Sequence, residues 1–485
     1  MPISSPATAV IDADGHVVEP PSAWESVSEE YRPVITLDSS GYEHVVVADK
    51  EILAVPLGTL ATPGSSFSDT ASFKPLGEAQ AGGSDPELRL VDMDTEEIDQ
   101  AVLFPSVGLY FAAIEDPKAA VALARAYNDW LAGYCKAAPT RLFGAAMLPL
   151  QDVDAAISEL HRAVGDLGFP AAFVRPNPCN GRSLPDRAYD PLWSAIEEIG
   201  LPIGIHEGSS VIIPTLGSER PFNPLVLHAV SHSFEEMLSC AQMIAFGVLE
   251  RHPKMNVVFL ESSGGWVPFW MERLDEQAET FGGFCPEMKL KPSEYFSRQC
   301  FISYEVDEKT LPSLTPFIGE DRIVWGSDYP HHDATFPGAV DALRKTMSPL
   351  PPSAQSKIIG GNARRVYRLP SRYVGAAALV DDYFAAVTSR DPKWLKSLFA
   401  TDAVVVSGEM RIDGVGSIVE FYRNGAFKFD DLRPRPGPLE VAGEKVEVDI
   451  DLRLGGTDSA VHDTFKIADG RIVHLDISTL PSVLS

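Results

Sequence analysis

Four side chains that can bind a metal ion lie in three short segments of the sequence. Asp14 and His16 belong to IDADGH, His206 ends LPIGIH, and Asp328 ends RIVWGSD. Residues two apart on an extended segment point to the same side, so Asp14 and His16 can bind one ion together. Two imidazoles and two carboxylates suit Zn²⁺, and also Mn²⁺ or Fe²⁺, and such an ion acidifies a bound water. Each motif alone is a weak indication, so the prediction depends on their being brought together.

Eight short apolar runs between residues 10 and 369 alternate with amphipathic segments typical of helices. The runs cover residues 10–14, 101–105, 143–149, 171–176, 201–206, 256–261, 300–305 and 322–328. Apolar strands joined by helical crossovers indicate a parallel sheet covered on both faces. Eight of them predict an α/β fold of the (β/α)8 type, with a doubly wound open sheet as the alternative.

In such a barrel the carboxyl ends of the strands meet at one face, where active sites lie. The predicted metal ligands all fall at these ends. Further polar or aromatic residues at or just after strand ends are Arg175, His232, Glu261, Trp266, Glu305 and His331. The four ligands are therefore expected to meet at one ion, surrounded by these other side chains.

We assign roles to these residues as hypotheses. Glu261 and Glu305 are candidate acids or bases, or partners that fix the tautomer of a ligand histidine. Arg175 is expected to hold a substrate carboxylate, or else to form a structural ion pair. His232 is expected to act in catalysis and to face the substrate, or else to be a surface residue at a helix start. Trp266, Glu305 and His331 complete the predicted substrate-binding group.

Two parts of the chain depart from the alternating pattern. Residues 41–89 are rich in Gly, Ser and Pro and form either a disordered excursion or a lid, which we favour. After residue 369, one helical stretch over 374–400 precedes several strand-like runs, and Asp469-Gly470 is a hairpin signal. This pattern predicts a second, α+β domain with an antiparallel sheet over residues 370–485.

Composition limits the function classes. The chain has 485 residues, 45% of them hydrophobic, with 68 acidic against 40 basic residues. Such negative charge disfavours nucleic acid and anionic membranes as partners, and no apolar run is long enough to span a bilayer. Five scattered cysteines and the absence of a signal-like N-terminus favour the cytoplasm.

The segment from residue 10 to 369 resembles the amidohydrolase superfamily, in the branch that contains aminocarboxymuconate-semialdehyde decarboxylase. The resemblance is carried by IDADGHVVEP, IEEIGLPIGIHEG, FGVLERHPKMNVVFLESSGGW and DRIVWGSDYPH. It implies that Asp14, His16, His206 and Asp328 bind the metal, and that Asp328 also moves a proton. Members with two metals carry a lysine at the end of strand four, where this chain has AAFVRP, so one ion per chain is expected.

A second departure concerns the reaction. The decarboxylases of this branch carry a histidine in a glycine-rich loop after strand six, where this chain reads LESSGGW. The change favours a hydrolase acting on an amide, lactone or ester of a small carboxylated or cyclic substrate, through a metal-bound hydroxide. A nonoxidative decarboxylase or C–C lyase is the alternative, and a non-catalytic binding scaffold is a third hypothesis.

Residues 374–485 resemble the NTF2-like, or SnoaL-like, family of cone-shaped domains. The resemblance is carried by VDDYFAAVTSRDPKWLKSLFATDAVVV, IVEFYRNGAF and HDTFKIADGRIVHLDI. It implies a ligand-binding, catalytic or dimerising role, so a homodimer or a higher oligomer is expected. Asp382, Tyr383, His462 and Asp463 are expected to face the cone.

Overall fold

The chain is described as a computed structural model covering residues 9–53, 56–66, 73–208, 212–220, 223–371, 373, 375–429 and 431–480. It divides into two compact units. The larger contains residues 12–346 and 366–368, and the smaller contains residues 9–11, 347–365 and those from 369 onward. The domain boundary predicted after residue 369 is kept as a proposal.

The first eleven strands are β1 (Ile11–His16), β2 (Val34–Leu37), β3 (Glu43–Val47), β4 (Lys50–Glu51), β5 (Gln100–Phe104), β6 (Leu142–Met147), β7 (Ala171–Val174), β8 (Ile203–His206), β9 (Val257–Leu260), β10 (Cys300–Glu305) and β11 (Ile323–Gly326). Eight form one sheet in the order β1-β5-β6-β7-β8-β9-β10-β11. The pairs from β5 to β11 are parallel. These are the eight strands predicted from the sequence, each within a few residues.

The first and last strands of this sheet meet just past β11. The backbone N–H of Asp328 donates to the carbonyl of Asp14 at 3.1 Å, and that of His16 donates to Tyr329 at 2.7 Å. Nearly every residue of the eight strands is buried, as expected for a sheet covered on both faces. The predicted (β/α)8 barrel is confirmed.

The described part of the barrel region contains ten α-helices: α1 (Pro86–Thr95), α2 (Pro117–Cys135), α3 (Val153–Gly165), α4 (Asp190–Ile199), α5 (Pro224–Ala245), α6 (Val248–Arg251), α7 (Trp266–Phe281), α8 (Pro292–Gln299), α9 (Leu311–Ile318) and α10 (Ala339–Met347). Asp-Pro pairs begin two of them, because the aspartate caps free backbone N–H groups and proline suits the first turn. Asp85 and Asp116 are these caps. The strands are thereby joined by the helical crossovers that a parallel barrel requires.

The described parts of segment 41–89 contain a small antiparallel sheet, β2-β3-β4, and single helical turns. Thr59 and Leu60 are buried and line a cavity together with His331 and His332. The N–H of Gly64 donates to the His332 carbonyl at 2.8 Å. These contacts place part of the segment over the strand ends, and its action as a lid stays a prediction.

The smaller unit contains helices α11 (Pro352–Ser356), α12 (Asn362–Val366), α13 (Ala376–Thr388), α14 (Pro392–Leu398) and α15 (Val415–Asn424), of which α12 ends one residue inside the larger unit. Its strands are β12 (Phe399–Ser407), β13 (Met410–Asp413), β14 (Arg433–Pro436), β15 (Glu440–Ala442), β16 (Lys445–Leu454), β17 (Thr457–Ala468) and β18 (Arg471–Thr479). They form a sheet in the order β13-β12-β18-β17-β16-β14, with β15 against β16.

Two predictions for this unit were wrong in detail. The single helix over 374–400 is two helices, because Asp391 caps a new one through the N–H groups of Lys393 and Trp394. The sheet is mixed, since β12 pairs in parallel with β18. The Asp469-Gly470 turn is confirmed, with φ values of 50° and 66° between antiparallel β17 and β18.

Of the four residues predicted to face the cone, two are buried and two form ion pairs with other side chains. Tyr383 and Asp463 are 3% exposed, and the Tyr383 hydroxyl lies 2.6 Å from that of Tyr422. His462 is partly exposed and pairs with Asp449 at 2.7 Å, and the Asp382 carboxylate pairs with Arg364 at 2.7 Å.

Among the described residues, no helix is both long enough and apolar enough to cross a bilayer.

Candidate metal centre and active site

Two histidines converge at the carboxyl ends of β1 and β8. The Nε2 atoms of His16 and His206 lie 3.2 Å apart. Each ring is oriented through its other nitrogen: Nδ1 of His16 lies 2.9 Å from the Pro105 carbonyl, and Nδ1 of His206 lies 2.6 Å from that of Glu207. Since a carbonyl accepts, both Nδ1 atoms donate, and both Nε2 lone pairs face the same point.

Burial, followed by the charges of His331 and His206, lowers the pKa of His16 well below its ordinary value. Burial also lowers the pKa of His206, but the Asp14 charge and its hydrogen bond outweigh this and raise it. Two facing lone pairs repel, so the arrangement calls for a positive charge between them, supplied by a proton or by a metal ion.

Three carboxylates surround these nitrogens in two groups that share His16: Asp14 joins His16 and His206, whereas Glu261 and Asp328 join His16 and His331. Asp14 Oδ1 lies 3.2 Å from the His206 Nε2, and Asp328 Oδ1 lies 3.5 Å from the His16 Nε2. Glu261 Oε2 lies 3.5 Å and 3.8 Å from these two nitrogens. That oxygen is buried and has no hydrogen-bond partner within the described ranges. An unpartnered carboxylate oxygen beside two imidazole nitrogens fits a divalent cation.

Backbone geometry brings these carboxylates close. A Cβ atom on Gly326, at the end of β11, would lie 2.5 Å from the Asp14 Cβ, so only glycine fits there. Glu261 and Asp328 follow their strands in the left-handed region, with φ of 45° and 52°. Such conformations are uncommon for residues other than glycine and concentrate at functional sites.

His232, in the third turn of α5, forms an ion pair with Glu261. Its Nε2 lies 3.1 Å from Glu261 Oε1. Burial lowers the pKa of His232, but the Glu261 charge and hydrogen bond raise it to about 9. Burial likewise raises the pKa of Glu261, and the His232 charge and hydrogen bond bring it below its ordinary value. His232 therefore carries a proton at neutral pH, within the cavity described below.

His331 connects Asp328 to the end of β5. Its Nδ1 lies 2.7 Å from Asp328 Oδ1, and its Nε2 lies 2.8 Å from the Ser106 hydroxyl. That hydroxyl donates to the Val17 carbonyl at 2.7 Å, so it accepts from His331. The Ser106 hydroxyl therefore fixes the His331 ring beside Asp328, whose Oδ1 has no hydrogen-bond partner within the described residues.

Two acidic residues of the first segment act as supports. Asp12 accepts from the N–H and the hydroxyl of Ser327, at 3.0 Å and 2.6 Å, next to Asp328. Glu19 is buried and accepts from three successive backbone N–H groups, those of residues 106–108. Asp12 thus orders the chain before Asp328, and Glu19 orders the loop that carries Ser106.

A cavity of about 360 Å³ lies beside the cluster, a size that suits a small ligand. Its lining includes His228, His232, Glu261, Glu305, Asp328 and Asp333. Burial, and then the charges of Glu261 and Asp14, raise the pKa of Glu305 well above its ordinary value. Burial therefore favours the protonated form of Glu305, which lines the cavity.

Arg175 and Trp266 have other surroundings. The Arg175 guanidinium donates to the carbonyls of Leu109 and Gly208, and it lies 3.0 Å from a Glu207 oxygen. The Trp266 Nε1 donates to the Ser262 hydroxyl at 3.3 Å, and its ring packs on Phe259. These contacts favour a structural part for both, so their predicted contact with substrate stays a hypothesis.

Several site residues were not identified from the sequence. They are Ser106, His228, Asp333 and, beneath β1, Arg89, whose guanidinium donates to the His16 carbonyl at 2.8 Å. His228 carried a usable signal, since it lies one helical turn before His232. Ser106 and Arg89 carried none, because only the fold brings them to the centre.

Two protein families match most of the chain. A family described as Amidohydrolase matches residues 11–369, and a SnoaL-like domain matches residues 380–475. The chain belongs to the amidohydrolase family. It is an enzyme of the metal-dependent kind found in this superfamily, a hydrolase or a carboxy-lyase, and it carries a C-terminal SnoaL-like domain.

Two curated relatives of this amidohydrolase are decarboxylases. A 2-amino-3-carboxymuconate-6-semialdehyde decarboxylase of Dictyostelium discoideum is 28% identical, over 60% of this chain and 79% of the relative. A gamma-resorcylate decarboxylase of Rhizobium radiobacter is 29% identical, over 59% of this chain and 88% of the relative. The alternative prediction, decarboxylation, is thus better supported than hydrolysis.

Solved structures show the same barrel. A 5-carboxyvanillate decarboxylase from Sphingomonas paucimobilis is 25% identical, with a TM-score of 0.57 over 75% of this chain and all of that one. A dihydroxybenzoic acid decarboxylase from a Polaromonas species, solved with bound manganese and the inhibitor 2-nitroresorcinol, is 23% identical, with a TM-score of 0.54 over 74% of this chain and 97% of that one.

Proposed function

We propose that this amidohydrolase is a nonoxidative decarboxylase of a small aromatic or unsaturated carboxylic acid. The observation that carries the proposal is the pairing of His232 Nε2 with Glu261 Oε1 at 3.1 Å, in a cavity next to the cluster of possible metal ligands. Loss of CO2 leaves an electron pair on carbon, which needs a proton donor. His232, with a pKa of about 9, holds a proton at neutral pH.

We propose that Asp14, His16, His206 and Asp328 bind one divalent ion per chain. Their donor set suits the Zn²⁺ expected from the sequence, and the manganese bound by the Polaromonas decarboxylase makes Mn²⁺ an equal candidate. Such an ion supplies Lewis acidity, which holds a substrate oxygen and stabilises negative charge. Glu261 Oε2 faces the same point and either joins the ligand set or supports His232.

In the proposed reaction, the bond between the substrate carbon and its carboxylate breaks. CO2 leaves, and the electron pair stays on the carbon. The Nε2–H of His232 donates its proton to that carbon, and the neutral ring recovers a proton from water. Glu261 Oε1, 3.1 Å away, keeps the ring oriented and stabilises its charged form.

Hydrolysis of an amide, lactone or ester is the second candidate. One feature of the sequence favours it: the loop after strand six reads LESSGGW, so Glu261 or Ser262 takes the place of the loop histidine of the decarboxylases that the chain resembles, and a carboxylate there can accept a proton from water. It requires a base, whereas the pairing with Glu261 raises the pKa of His232 and favours its protonated form, so we rank it second. Glu305, whose pKa burial raises, lines the same cavity and would protonate the leaving group.

We further propose a cytoplasmic homodimer or higher oligomer acting on small molecules. Free cysteines at positions 135, 179, 240, 285 and 300 suit a reducing compartment. The excess of acidic residues argues against nucleic acid as a partner.

The test is turnover with a panel of hydroxybenzoates, carboxyvanillate-like acids and unsaturated dicarboxylic acids, each assayed for CO2 release. Amides, lactones and esters of similar size are assayed in parallel for hydrolysis. The enzyme is loaded with Zn²⁺ or Mn²⁺, and His206→Gln is the inactive control. CO2 release that His206→Gln abolishes supports the proposal, whereas hydrolysis without any CO2 release contradicts it.

A further inference from the structure

Three side chains at the mouth of the cavity form a second cluster of metal-binding groups. The His228 Nε2 lies 3.2 Å from Asp333 Oδ2, and the His332 Nδ1 lies 3.4 Å from Asp333 Oδ1. Each of the three offers one ligand atom, and these atoms all lie within 4.8 Å of one another. The two rings are nearly perpendicular, at 86°, with centroids 5.8 Å apart.

This cluster shares no residue with the ligand set of the inner centre. His228 lies in the second turn of α5, whereas His332 and Asp333 lie in the loop between β11 and α10. Their side chains are 43%, 19% and 38% exposed, unlike the fully buried His16 and His206. An ion could therefore reach and leave the outer cluster without opening the barrel.

The donor set has a recognisable chemistry. Two imidazoles and one carboxylate bind Zn²⁺ at many sites, and they leave further positions open for water or an anionic ligand. The surroundings also favour a cation, because Glu261, Glu305 and Asp328 line the same cavity and the chain carries a formal charge of −28. Partial exposure leaves room for the remaining ligands.

The two clusters are neighbours, since His228 and Asp333 of the outer cluster line the same cavity as Glu261 and Asp328. The His228 ring lies 4.7 Å, centroid to centroid, from that of His232, which pairs with Glu261. His332 follows His331, which contacts Asp328. A cation at the outer cluster would thus lie on the approach to the inner centre, where the oxygen of an entering anion could complete its coordination.

We propose that His228, His332 and Asp333 form a second divalent-cation site at the cavity mouth, with Zn²⁺ as its best-matched ion. The site does not depend on the reaction proposed above. It predicts two ions per chain at saturation, one at each cluster.

The experiment uses the full chain, stripped with a chelator and then dialysed to equilibrium against a fixed concentration of free Zn²⁺. Bound zinc is counted by elemental mass spectrometry. Wild type is expected to hold two ions per chain, and Asp333→Asn and His228→Gln to hold one. His206→Gln, which damages only the inner centre, is also expected to retain one.

His44→Gln is the matched control. His44 is a histidine near the surface with two carboxylate neighbours, Asp38 at 3.2 Å and Glu51 at 2.7 Å, but they contact its two different nitrogens. They therefore do not converge on one point, and this variant is expected to keep two ions.

A second measurement uses only the wild-type protein, so it tests the proposal even if a variant misfolds. Crystals of the wild-type protein grown with Zn²⁺ should show an anomalous peak between the His228 Nε2 and the Asp333 carboxylate. One ion per chain in wild type with no peak at the mouth overturns the proposal, as does an unchanged count in folded Asp333→Asn. Neither result bears on CO2 release, so failure of this site and failure of the proposed function are distinguishable.

Discussion

The Nε2 atoms of His16 and His206 lie 3.2 Å apart, and each ring donates from its other nitrogen to a backbone carbonyl. The two lone pairs are thus held face to face by the strands that carry them. This arrangement is stable only with positive charge between the rings, and it explains why the Asp14, Asp328 and Glu261 carboxylates gather around them.

Metal binding should therefore stabilise the folded protein. Zn²⁺ or Mn²⁺ at 100 times its dissociation constant contributes about 2.7 kcal/mol, which corresponds to a rise of several degrees in melting temperature. We expect this rise in chelator-stripped wild type, measured by calorimetry. His206→Gln should lose the part of the rise that the inner centre contributes and keep the part that comes from the outer cluster, whereas His161→Gln, on the exposed face of α3, should keep the whole rise. An equal rise in His206→Gln and wild type would show that no ion binds at the inner centre.

Removal of the proton donor should abolish most of the turnover while leaving the ion in place. For His232→Gln we expect a loss of about 10²- to 10⁴-fold in kcat, the usual range for a general acid. Glu261→Gln should lose a similar factor, and the double variant little more, because the two side chains act as one pair. Rates and metal content are measured side by side. Fully multiplicative losses would argue against a functional pair.

Gly326 should be intolerant of any side chain. A Cβ atom there would lie 2.5 Å from the Asp14 Cβ, so Gly326→Ala must displace Asp14. We expect loss of bound metal and a decrease of about 1–3 kcal/mol in the free energy of unfolding, as for an overpacked core. The control is Gly133→Ala, in α2, where a Cβ has no neighbour within 4 Å. Normal metal content in Gly326→Ala would contradict the close packing of β1 and β11.

Asp463 should make the stability of the protein depend on pH. Burial raises its pKa to about 7, and its Oδ1 has no hydrogen-bond partner within the described ranges. The folded chain therefore binds more protons than the unfolded chain between about pH 4 and pH 7, so stability falls as pH rises through that window. Asp463→Asn has no carboxyl group at this position, so its stability should not fall in this way as the pH rises.

The variant should become more stable than wild type as the pH rises from about 4 to 7, by on the order of 4 kcal/mol at the upper end. Urea unfolding at a series of pH values measures the difference. Parallel stability curves for the two proteins would mean that Asp463 has an ordinary pKa in the folded chain.

Local pattern predicted the barrel well. Near-continuous apolar runs such as NVVFLE and CFISYE predicted the strand boundaries to within a few residues. A strand buried on both faces is apolar along its whole length, so the first polar residues mark where it ends. The grouping of Asp14 with His16 and His206, and the position of Asp328 beside His16, agree with one rule, that the carboxyl ends of parallel strands share a face; their binding of one common ion stays a prediction. Glu261 was expected in the site, but not its pairing with His232.

Other features depend on long-range contacts that no local pattern encodes. Ser106 reaches His331 across 225 positions of sequence, and Glu19 reaches the residues beside Ser106 across nearly 90. The parallel pairing of β12 with β18 likewise depends on how the chain between them is routed. The split of the predicted helix after residue 388 was readable in principle, since Asp391-Pro392 is a helix-start signal.

The seam between β1 and β11 has a consequence for biosynthesis. Asp12 binds Ser327 across 315 positions, and the Asp14 carbonyl receives the N–H of Asp328. Asp14 and His16, half of the proposed inner ligand set, are therefore synthesised early on the ribosome, long before the last strand of the barrel. A nascent or truncated chain that ends before β11 lacks Asp328 and its seam partners, so this enzyme should acquire its ion, and its activity, only once the whole barrel has been translated.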